Sequence, residues 1–363
     1  MKSTKRKRIR WWMILLGIIV LLILIVTGYV LYVIISYYRI DDRQSLDMEG
    51  KSKSDVFMLD KEYTVMIYNI GFGAYTQDFT FFMDGGTQSW AKSKESVIDC
   101  INGDIDLLNQ YKADVMLLQE VDFDSTRSYH VDEASRICSA FPDMSYTFAV
   151  NYHSPFLFYP LTQPHGASNA GLLTLSSVQI KEGLRRSLPI SEGMSKYIDL
   201  DRCYSINRTD VENGKQLVFI NVHTSAYGIE GDLQKQQLTM LFEDMKEEYD
   251  KGNYVICGGD FNHDFTGNSK EIFNETVPEE YTWAVPFPDE LIPEHFNKLT
   301  DYASGITIPS CRNADKPYDE SNFTLTVDGF IVSDNVIPTY MNVIDNQFLY
   351  SDHNPVELKF KLE

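Results

Sequence analysis

The chain has 363 residues, 44% of them hydrophobic, and carries 52 acidic against 32 basic side chains, a net charge of −20. This length allows one core of roughly 250 to 300 residues or two smaller cores. The acidic balance disfavours a non-specific nucleic-acid binder, because an acidic surface repels polyanions, and it suits a protein that binds divalent cations. Five cysteines form no CxxC pair and predict no disulfide framework, and none is assigned a chemical role.

The first forty residues differ from the rest of the chain. Residues 1–10 are basic, and we predict a cytoplasmic tail there; residues 11–38 are 28 residues without a charge. A bilayer core needs about 20 apolar residues, and the preceding basic flank favours a cytoplasmic N-terminus. A cleavable signal peptide has a shorter apolar region of about 7–15 residues and a small-residue cleavage site. We therefore predict an uncleaved, single-pass signal-anchor helix in the cell membrane.

Everything after this helix is then predicted to lie outside the cytoplasm. Residues 39–60 are polar and lack periodicity, which predicts a juxtamembrane linker, and residues 61–363 form the predicted folded domain. From residue 41 onward the chain has 25 basic and 52 acidic residues, a net charge of −27. The exported part is therefore more acidic than the whole chain.

Runs of apolar residues predict strands, and amphipathic stretches predict helices between them. The strand-like runs are "YTVMIYNI", "DVMLLQEV", "NAGLLTLS", "QLVFINVHT", "YVICGGDFN", "FTLTVDGFIVS" and "VELKFKL". One helix is predicted around residues 98–108, and another over residues 233–250, where Leu238, Leu241 and Met245 share a face. Residues 265–324 are predicted to be rich in loops. The order predicts a sheet-rich α/β or α+β sandwich with helices outside.

Polar side chains follow most of these strands at the point where each strand ends. They are Asn69, Glu120, His223, Asp260 with Asn262, Asp328, and Asp352 with His353. A single strand-end Asn or Asp is usually a turn residue, and a single His is usually structural. Six such positions together indicate a reaction centre, because carboxylates and imidazoles that converge at a sheet end are costly without a function.

These blocks also resemble a known family. "YNIG", "LLQEVD", "NAGLLTLS", "NVHT", "GGDFN", "TVDGFIVS" and "YSDHNPV" are similar to the motifs of the endonuclease/exonuclease/phosphatase superfamily, the DNase I-like metal-dependent phosphoesterases. They occur in the family's order over residues 63–362, and "GGDFN" and "SDHNPV" are the most specific. The resemblance implies an α/β (α+β) four-layer sandwich of two packed mixed β-sheets flanked by helices.

The resemblance also implies a metal site. Glu120 matches the main Mg²⁺ ligand, Asn69 lies beside it, and Asp352 matches a further ligand of the metal or of its water. Hard oxygen ligands are those that Mg²⁺ prefers, and Mn²⁺ is a substitute. The expected cofactor is therefore Mg²⁺.

The same resemblance implies roles for the catalytic candidates. Asp260 matches the aspartate that orients or activates the attacking water, and Asn262 matches the amide that stabilises the transition state. His353 matches the histidine next to the scissile phosphate, and Asp328 matches its carboxylate partner. His223 matches a second phosphate-contacting histidine in the nuclease and sphingomyelinase branches. No GxSxG, P-loop or cysteine nucleophile supports a covalent route, so direct in-line attack by water is expected.

The residues that select the substrate are less clearly marked. Arg127 and His130 follow Glu120 in a segment that either reaches a phosphate or forms a surface loop. His153 lies in the aromatic, proline-rich segment 151–166, a lip near lipid or a packed loop, and Asn169 precedes a strand. These four residues are predicted substrate contacts.

Three functions follow from these observations. The first is a membrane-tethered phosphodiesterase, a metal-dependent phosphoric ester hydrolase acting on a lipid headgroup or another small phosphoester; the tether, the acidic charge and the aromatic segment favour it. The second is a surface-anchored DNA or RNA nuclease, favoured by the histidine pair. The third is a catalytically inactive binding module, which the complete set of polar residues disfavours.

Overall fold

A computed structural model describes residues 11–197, 200–226, 231–273, 284–300 and 308–363. The chain divides into two compact units, the first extending to Arg39 and the second running over Ile40–Glu363. The described part of the first unit is helix α1, Trp11–Ser36. Its mean hydropathy of 3.1 and its 26 residues make it long and apolar enough to cross a membrane, as a signal sequence near an N-terminus also is.

The second unit contains two large mixed sheets. Its strands are β1 Gln44–Ser45, β2 Glu49–Gly50, β3 Val56–Phe57, β4 Tyr63–Asn69, β5 Val115–Asp122, β6 Ser145–Leu157, β7 Gly166–Ser176, β8 Ile180–Ser187, β9 Cys203–Val211, β10 Gln216–His223, β11 Tyr254–Asp260, β12 Phe296–Leu299, β13 Cys311–Arg312, β14 Thr324–Leu325, β15 Asp328–Ser333, β16 Val336–Val343 and β17 Val356–Leu362. Its helices are α2 Lys94–Tyr111, α3 Glu133–Ala140, α4 Gly231–Asp250 and α5 Ser269–Phe273. In the described residues one sheet has the order β16-β17-β4-β5-β7-β6-β2, and the other has β1-β8-β9-β10-β11-β15-β12 with β3 added on β9.

The alternation of side chains along each strand produces the layers. In β4 and β5, Val65, Ile67, Val115 and Leu117 pack against Phe219 and Ile256 of the other sheet, which forms the core between the sheets. Since alternate residues point to opposite faces, the intervening side chains, such as Met66 and Met116, pack outward under α2 and α3.

The second sheet repeats this arrangement. Its outward side chains, including Val218 and Cys257, pack under Leu238, Leu241 and Met245 of α4. Helices therefore cover both sheets, and the predicted four-layer sandwich is confirmed.

The structure differs from the sequence predictions in two segments. The compact unit begins at Ile40 and not at residue 61, because β1 pairs with β8, β2 with β6 and β3 with β9 within the stretch predicted as a linker. Two-residue strands bury too few side chains to leave a period in the sequence. The aromatic segment predicted as a lip or loop is partly strand, since β6 extends to Leu157.

Candidate active site

Three neighbouring strands place one candidate side chain each in a single row. β10 and β11 are parallel with His223 paired to Asp260, and β11 and β15 are antiparallel with Asp260 paired to Asp328. Directly opposed residues lie close together on one face of a sheet. Nε2 of His223 accordingly lies 3.5 Å from Oδ2 of Asp260. The strand register alone therefore brings together three of the residues predicted to be catalytic.

The two glycines before Asp260 are required by close packing. Gly259 has φ +148°, and a Cβ built on it would lie 2.1 Å from the carbonyl oxygen of Val222 on β10. A Cβ on Gly258 would lie 2.7 Å from the ring of Phe330 and 2.8 Å from Ile67 of the other sheet. Neither position accepts a side chain, so the backbone of β11 fixes where the Asp260 carboxyl lies.

Asp260 is 2% exposed and is held at both carboxyl oxygens. Its Oδ1 accepts a hydrogen bond from the backbone N–H of Asn262 at 2.9 Å, and its Oδ2 accepts one from Nδ2 of Asn69 at 3.1 Å. Burial, followed by the nearby carboxylate of Asp328, raises the pKa of Asp260 to about 7. A carboxyl whose pKa lies near neutrality is suited to accept a proton from water.

His353 and Asp328 form a buried ion pair. Nδ1 of His353 lies 2.8 Å from Oδ2 of Asp328, and the hydroxyl of Ser310 donates to the same oxygen at 2.7 Å. Burial alone would lower the pKa of His353, but the carboxylate of Asp328, assisted by Cys311 and Asp352, raises this pKa well above its usual value. His353 is therefore a cation at neutral pH, and its Nε2 lies 3.9 Å from Oδ2 of Asp260.

His223 differs from His353 in its charge. Burial, followed by the positive charges of Arg202 and His353, lowers the pKa of His223 well below its usual value. Its Nδ1 has no hydrogen-bond partner within the described ranges. The site thus holds one neutral and one charged imidazole, since environments that separate the pKa values of two groups give them different roles.

A β-bulge directs Glu120 into the cleft. The register between β5 and β7 shifts between Leu118 and Val121, and Glu120 has φ +53°. An extra residue in one strand re-aims its side chain and bends the strand locally. The preceding Gln119 points between the sheets, where its Nε2 donates to Oδ1 of Asn221 at 2.7 Å.

Asn69 contacts the carboxylates of both Glu120 and Asp260. Its Nδ2 lies 3.3 Å from Oε1 of Glu120 as well as 3.1 Å from Oδ2 of Asp260, and its Oδ1 accepts from the backbone N–H of Gly71 at 3.0 Å. Asp352 lies nearby, and burial raises its pKa to about 7, with the charge of Glu120 adding to the effect. These are the three residues predicted as the metal site.

The donor set fits a hard divalent cation. Burial is the main cause that raises the pKa of Asp260 and of Asp352, and neighbouring carboxylates add to it. A bound cation would instead favour the charged carboxylates. Asp260, Asp328 and His353 also have ligand atoms within 4.8 Å of one another. The Oδ2 of Asp328, however, already accepts two hydrogen bonds, and a protonated imidazole is no ligand. The position next to Glu120 and Asp352 is therefore the better cation site.

Asn262 lies at the floor of the site with φ +49°. Its Nδ2 donates to the carbonyl oxygen of Thr224 at 2.9 Å, and its backbone N–H is bonded to Asp260. Asparagine tolerates this left-handed conformation better than most residues, and its amide group carries a second N–H. The turn after β11 therefore locks the Asn262 side chain beside the carboxyl of Asp260.

A cleft of about 160 Å³ opens over these residues. Six of the eight predicted catalytic and metal-site residues line the cleft: Glu120, His223, Asp260, Asn262, Asp352 and His353. Asn69 and Asp328 are each 1% exposed and contact the lining residues from behind. The structure thus brings all eight predicted catalytic and metal-site residues together.

Of the four predicted substrate contacts, only Arg127 lines the cleft. Its guanidinium forms two hydrogen bonds to Asp122, lies 3.9 Å from Glu120 and stacks 3.8 Å from the ring centre of Phe72. Burial alone would lower the pKa of Arg127, but Asp122 followed by Glu120 raises it above its usual value. Arg127 is therefore held in place by protein contacts next to the cation site.

The other three predicted contacts lie outside the lining of the cleft. His130 is exposed and pairs with Asp124 at 2.5 Å, and Asn169 donates to the backbone oxygen of Asp124 at 3.0 Å. Nδ1 of His153 lies 3.6 Å from Asp201. Closeness to Glu120 in sequence placed His130 in the predicted set, but in the segment after β5 Arg127 lines the cleft whereas His130 lies on the exposed surface.

Three cationic or basic side chains of the cleft were not predicted from the sequence. They are Arg202, Arg312 and His165. Arg202 immediately precedes β9, and Arg312 lies in the two-residue β13, so neither belongs to a periodic run. Burial, followed by the charge of Arg127, lowers the pKa of His165 to about 3, and this side chain is therefore neutral. No local sequence signal marks these residues, because distant loops bring them to the site.

Comparison with known proteins agrees with this arrangement. The model of the endonuclease/exonuclease/phosphatase family matches residues 68–353. The matched range begins one residue before Asn69 and ends at His353. The chain belongs to this family, whose members are typically phosphoesterases or nucleases and generally depend on a metal.

Solved structures share the fold at low sequence identity. An endonuclease/exonuclease/phosphatase from Beutenbergia cavernae is 16% identical with a TM-score of 0.55, over 83% of this chain and 72% of that one. ANGEL2, a 2′,3′-cyclic phosphatase, is 15% identical with a TM-score of 0.53, over 88% and 99%. TDP2 from D. rerio, in complex with a single-strand DNA product, is 14% identical with a TM-score of 0.53, over 83% and 100%. No curated protein matches the chain.

Proposed function

We propose that the protein is a Mg²⁺-dependent phosphodiesterase that hydrolyses a lipid headgroup or another small phosphoester by direct attack of water. The observation that carries this proposal is the convergence of Asp260, His353 and Glu120 on one cleft. A proton acceptor, a cationic imidazole and a candidate cation site can each assist in-line displacement at phosphorus.

Each side chain has a role that follows from its surroundings. Asp260, whose pKa is raised to about 7, accepts a hydrogen bond from the attacking water and then its proton. As the bond from the water oxygen to phosphorus forms, the ester P–O bond opposite to it breaks, and the alcohol leaves with a proton taken from solvent. His353 donates from Nε2 to a phosphoryl oxygen, and Asp328 holds its ring and charge through Nδ1. The neutral His223 and the amide of Asn262 donate to the same phosphoryl group. When bound at Glu120, Asn69 and Asp352, Mg²⁺ or Mn²⁺ would neutralise the negative charge that develops on the phosphoryl oxygens.

The proposal is tested on the full-length chain in detergent, with a panel of phosphodiesters and phosphomonoesters in Mg²⁺, Mn²⁺ and EDTA. We expect hydrolysis in either cation and none in EDTA. His353→Ala and Asp260→Ala should each abolish hydrolysis with the fold intact, whereas His130→Ala, a histidine outside the cleft, should retain full activity. Substantial activity in either cleft variant would contradict the proposed roles.

A nuclease is the second candidate, and the presence of both His223 and His353 in the cleft favours it. The net charge of −27 after residue 40 disfavours it, because nucleic acid is repelled unless a basic surface intervenes. Two solved structures that share the fold of this chain differ in what they act on: TDP2 was solved with a DNA product, and ANGEL2 is described as a 2′,3′-cyclic phosphatase. Nicking of supercoiled plasmid in Mg²⁺, set against release of phosphorylated headgroup from labelled liposomes, separates the two candidates. A protein inactive in both assays and unable to bind the cation would be a binding module.

We propose further that α1 anchors the protein in the cell membrane, with the N-terminus in the cytoplasm and the catalytic unit outside. The basic residues before α1 and its uncharged length support this topology. Protease added to intact cells should digest an epitope placed at residue 363 and spare one at residue 1. A mature protein that begins after residue 38 would show instead that the helix is a cleaved signal sequence.

A further inference from the structure

Two buried arginines line the cleft without an acidic partner. Arg202 is 6% exposed, and its Nε and Nη1 have no hydrogen-bond partner in the part of the chain that the structure describes. Arg312 is 1% exposed, and its Nε and Nη1 likewise lack partners, while its Nη2 donates to the carbonyl oxygen of Thr76 at 3.3 Å. No ion pair to either arginine is present among the described residues.

Other buried arginines of the protein are paired. Arg127 binds Asp122, and Arg186 binds Asp42 and Asp244. Arg185 donates to three backbone oxygens and lies 3.7 Å from Asp201. A guanidinium has five N–H donors and does not lose its charge. Removing it from water without an anion is costly, so an unpaired buried guanidinium facing a cleft indicates a ligand that supplies the anion.

The two arginines lie next to the proposed reaction centre. Arg202 is close enough to His223 to lower its pKa, and the backbone N–H of Arg312 donates to the carbonyl oxygen of Asp352 at 2.9 Å. The carboxyls of the cleft are the proposed partners of the cation and of His353. Among the described residues no ion pair joins either guanidinium group to a carboxyl, although Arg312 is close enough to Asp352 to lower the pKa of that carboxyl.

We propose that Arg202 and Arg312 form an anion subsite beside the reaction centre, and that the preferred substrate carries a second phosphate group next to the phosphoester that is cleaved. This inference rests on the proposed phosphoesterase function and specifies its substrate class. Two planar guanidinium groups suit a phosphate, because each can bind two of its oxygens at once. A simple phosphodiester carries one negative charge, which is fewer than the two positive charges of these guanidinium groups.

Binding is measured first, without turnover. Inorganic pyrophosphate is titrated by calorimetry into the full-length protein in detergent with EDTA, so that no cation mediates the contact. We expect Arg202→Gln and Arg312→Gln each to weaken binding by at least about tenfold. The corresponding Lys variants keep the charge but lose the bidentate hydrogen bonding of the guanidinium group. Their affinity for pyrophosphate should lie between those of the native protein and the Gln variants. Arg43→Gln, at an exposed arginine away from the cleft lining, is the matched control and should stay within about twofold.

Turnover then locates the second phosphate. The p-nitrophenyl ester of thymidine 5′-phosphate is compared with the same ester bearing an added 3′-phosphate, and phosphatidylinositol vesicles are compared with phosphatidylinositol 4-phosphate vesicles. In the pair that is hydrolysed, the added phosphate should raise kcat/KM by about tenfold or more, and the Gln variants should remove most of that gain. A response in the nucleotide pair identifies a soluble substrate, and a response in the vesicle pair identifies a lipid substrate.

The outcomes separate the two proposals. Arginine-dependent binding of pyrophosphate without hydrolysis of any substrate would refute the phosphoesterase function and leave the anion subsite standing. Unchanged pyrophosphate binding in well-folded Gln variants would overturn the subsite. So would an added phosphate that leaves kcat/KM unaltered in an active enzyme.

Discussion

Nδ1 of His353 lies 2.8 Å from Oδ2 of Asp328, and Asp328 is itself paired across the sheet with Asp260. His353, which lies in a loop, is therefore bonded to the row of strand residues that contains Asp260, the proposed proton acceptor. The charge of His353 depends on Asp328, because burial by itself would favour the neutral imidazole. The pair therefore links the protonation of the site to the register of β11 and β15.

Asp328→Asn should reduce phosphoester hydrolysis by about 10² to 10⁴-fold, because the amide neither fixes the histidine tautomer nor holds its positive charge. The pKa of His353, followed by NMR of the imidazole protons, should fall below that of the native protein. Ser310→Ala removes only the hydroxyl that donates to the same carboxylate oxygen and should reduce activity by about tenfold or less. An unchanged histidine pKa in Asp328→Asn would contradict the assigned pairing.

Asp260→Asn should stabilise the cation-free protein at neutral and alkaline pH. The folded pKa of about 7 lies above the ordinary value of 3.8, so the unfolded chain loses this proton first as the pH rises. The carboxyl therefore destabilises the fold progressively between about pH 4 and 7, and fully above pH 7. The gain in the free energy of unfolding should be near zero at pH 4 and on the order of 4 kcal/mol at pH 8.

Urea unfolding in EDTA from pH 4 to pH 8 measures this effect. Asp47→Asn, at an exposed carboxylate, is the matched control and should show no such trend. If the difference in the free energy of unfolding between Asp260→Asn and the native protein does not grow with pH, the Asp260 carboxyl is not held in an unfavourable environment.

Glu120→Gln should abolish stabilisation of the protein by Mg²⁺. A ligand at 100 times its Kd stabilises the folded state by about 2.7 kcal/mol, which raises the melting temperature of the native protein. The amide removes the charge that the cation requires, so the melting curves of the variant with and without Mg²⁺ should coincide. Glu271→Gln, on the exposed side of α5, should keep the full shift. An undiminished shift in Glu120→Gln would move the cation site elsewhere.

Gly259→Ala should reduce the free energy of unfolding by more than about 3 kcal/mol, because the added methyl group would overlap the carbonyl oxygen of Val222. Gly267→Ala is the control: it has φ +77° and open space around its Cβ, so it should cost only about 1 kcal/mol of backbone strain. Denaturant titration of both variants compares the two costs. Equal losses would indicate that β10 and β11 are less closely packed at this point.

The residues that could be predicted from the sequence are those attached to strongly apolar strands. β4, β5, β10 and β11 are buried almost throughout, and each leads directly to a polar residue of the site, so Asn69, Glu120, His223 and Asp260 were identifiable. β8 and β9 were missed because polar residues occur at many of their positions, as in "IKEGLRRS" and "CYSINRTDV". A strand that alternates or mixes polar residues gives a weaker signal than a continuous apolar run.

The cleft walls were less predictable than its floor. Arg202 precedes β9 and Arg312 lies in the two-residue β13, and only the folded chain shows that both line the cleft without an ion-pair partner among the described residues. His130 and Asn169 were chosen for their closeness to motif residues in the chain. In the structure both bond to Asp124 on the surface. Sequence proximity to a catalytic strand end does not determine on which side of the strand the following loop turns.

The short strands β1, β2 and β3 also limit where the protein can be severed from its N-terminal helix. α1 ends at Ser36, and the compact unit begins at Ile40, so only Tyr37, Tyr38 and Arg39 lie between them. A protease that cut within residues 44–57 would separate one or more of these short strands from the rest of the unit, whereas a cut within residues 37–43 would release the unit with its sheets complete. If α1 anchors the protein as proposed, release of the unit with both sheets intact would therefore have to occur within residues 37–43.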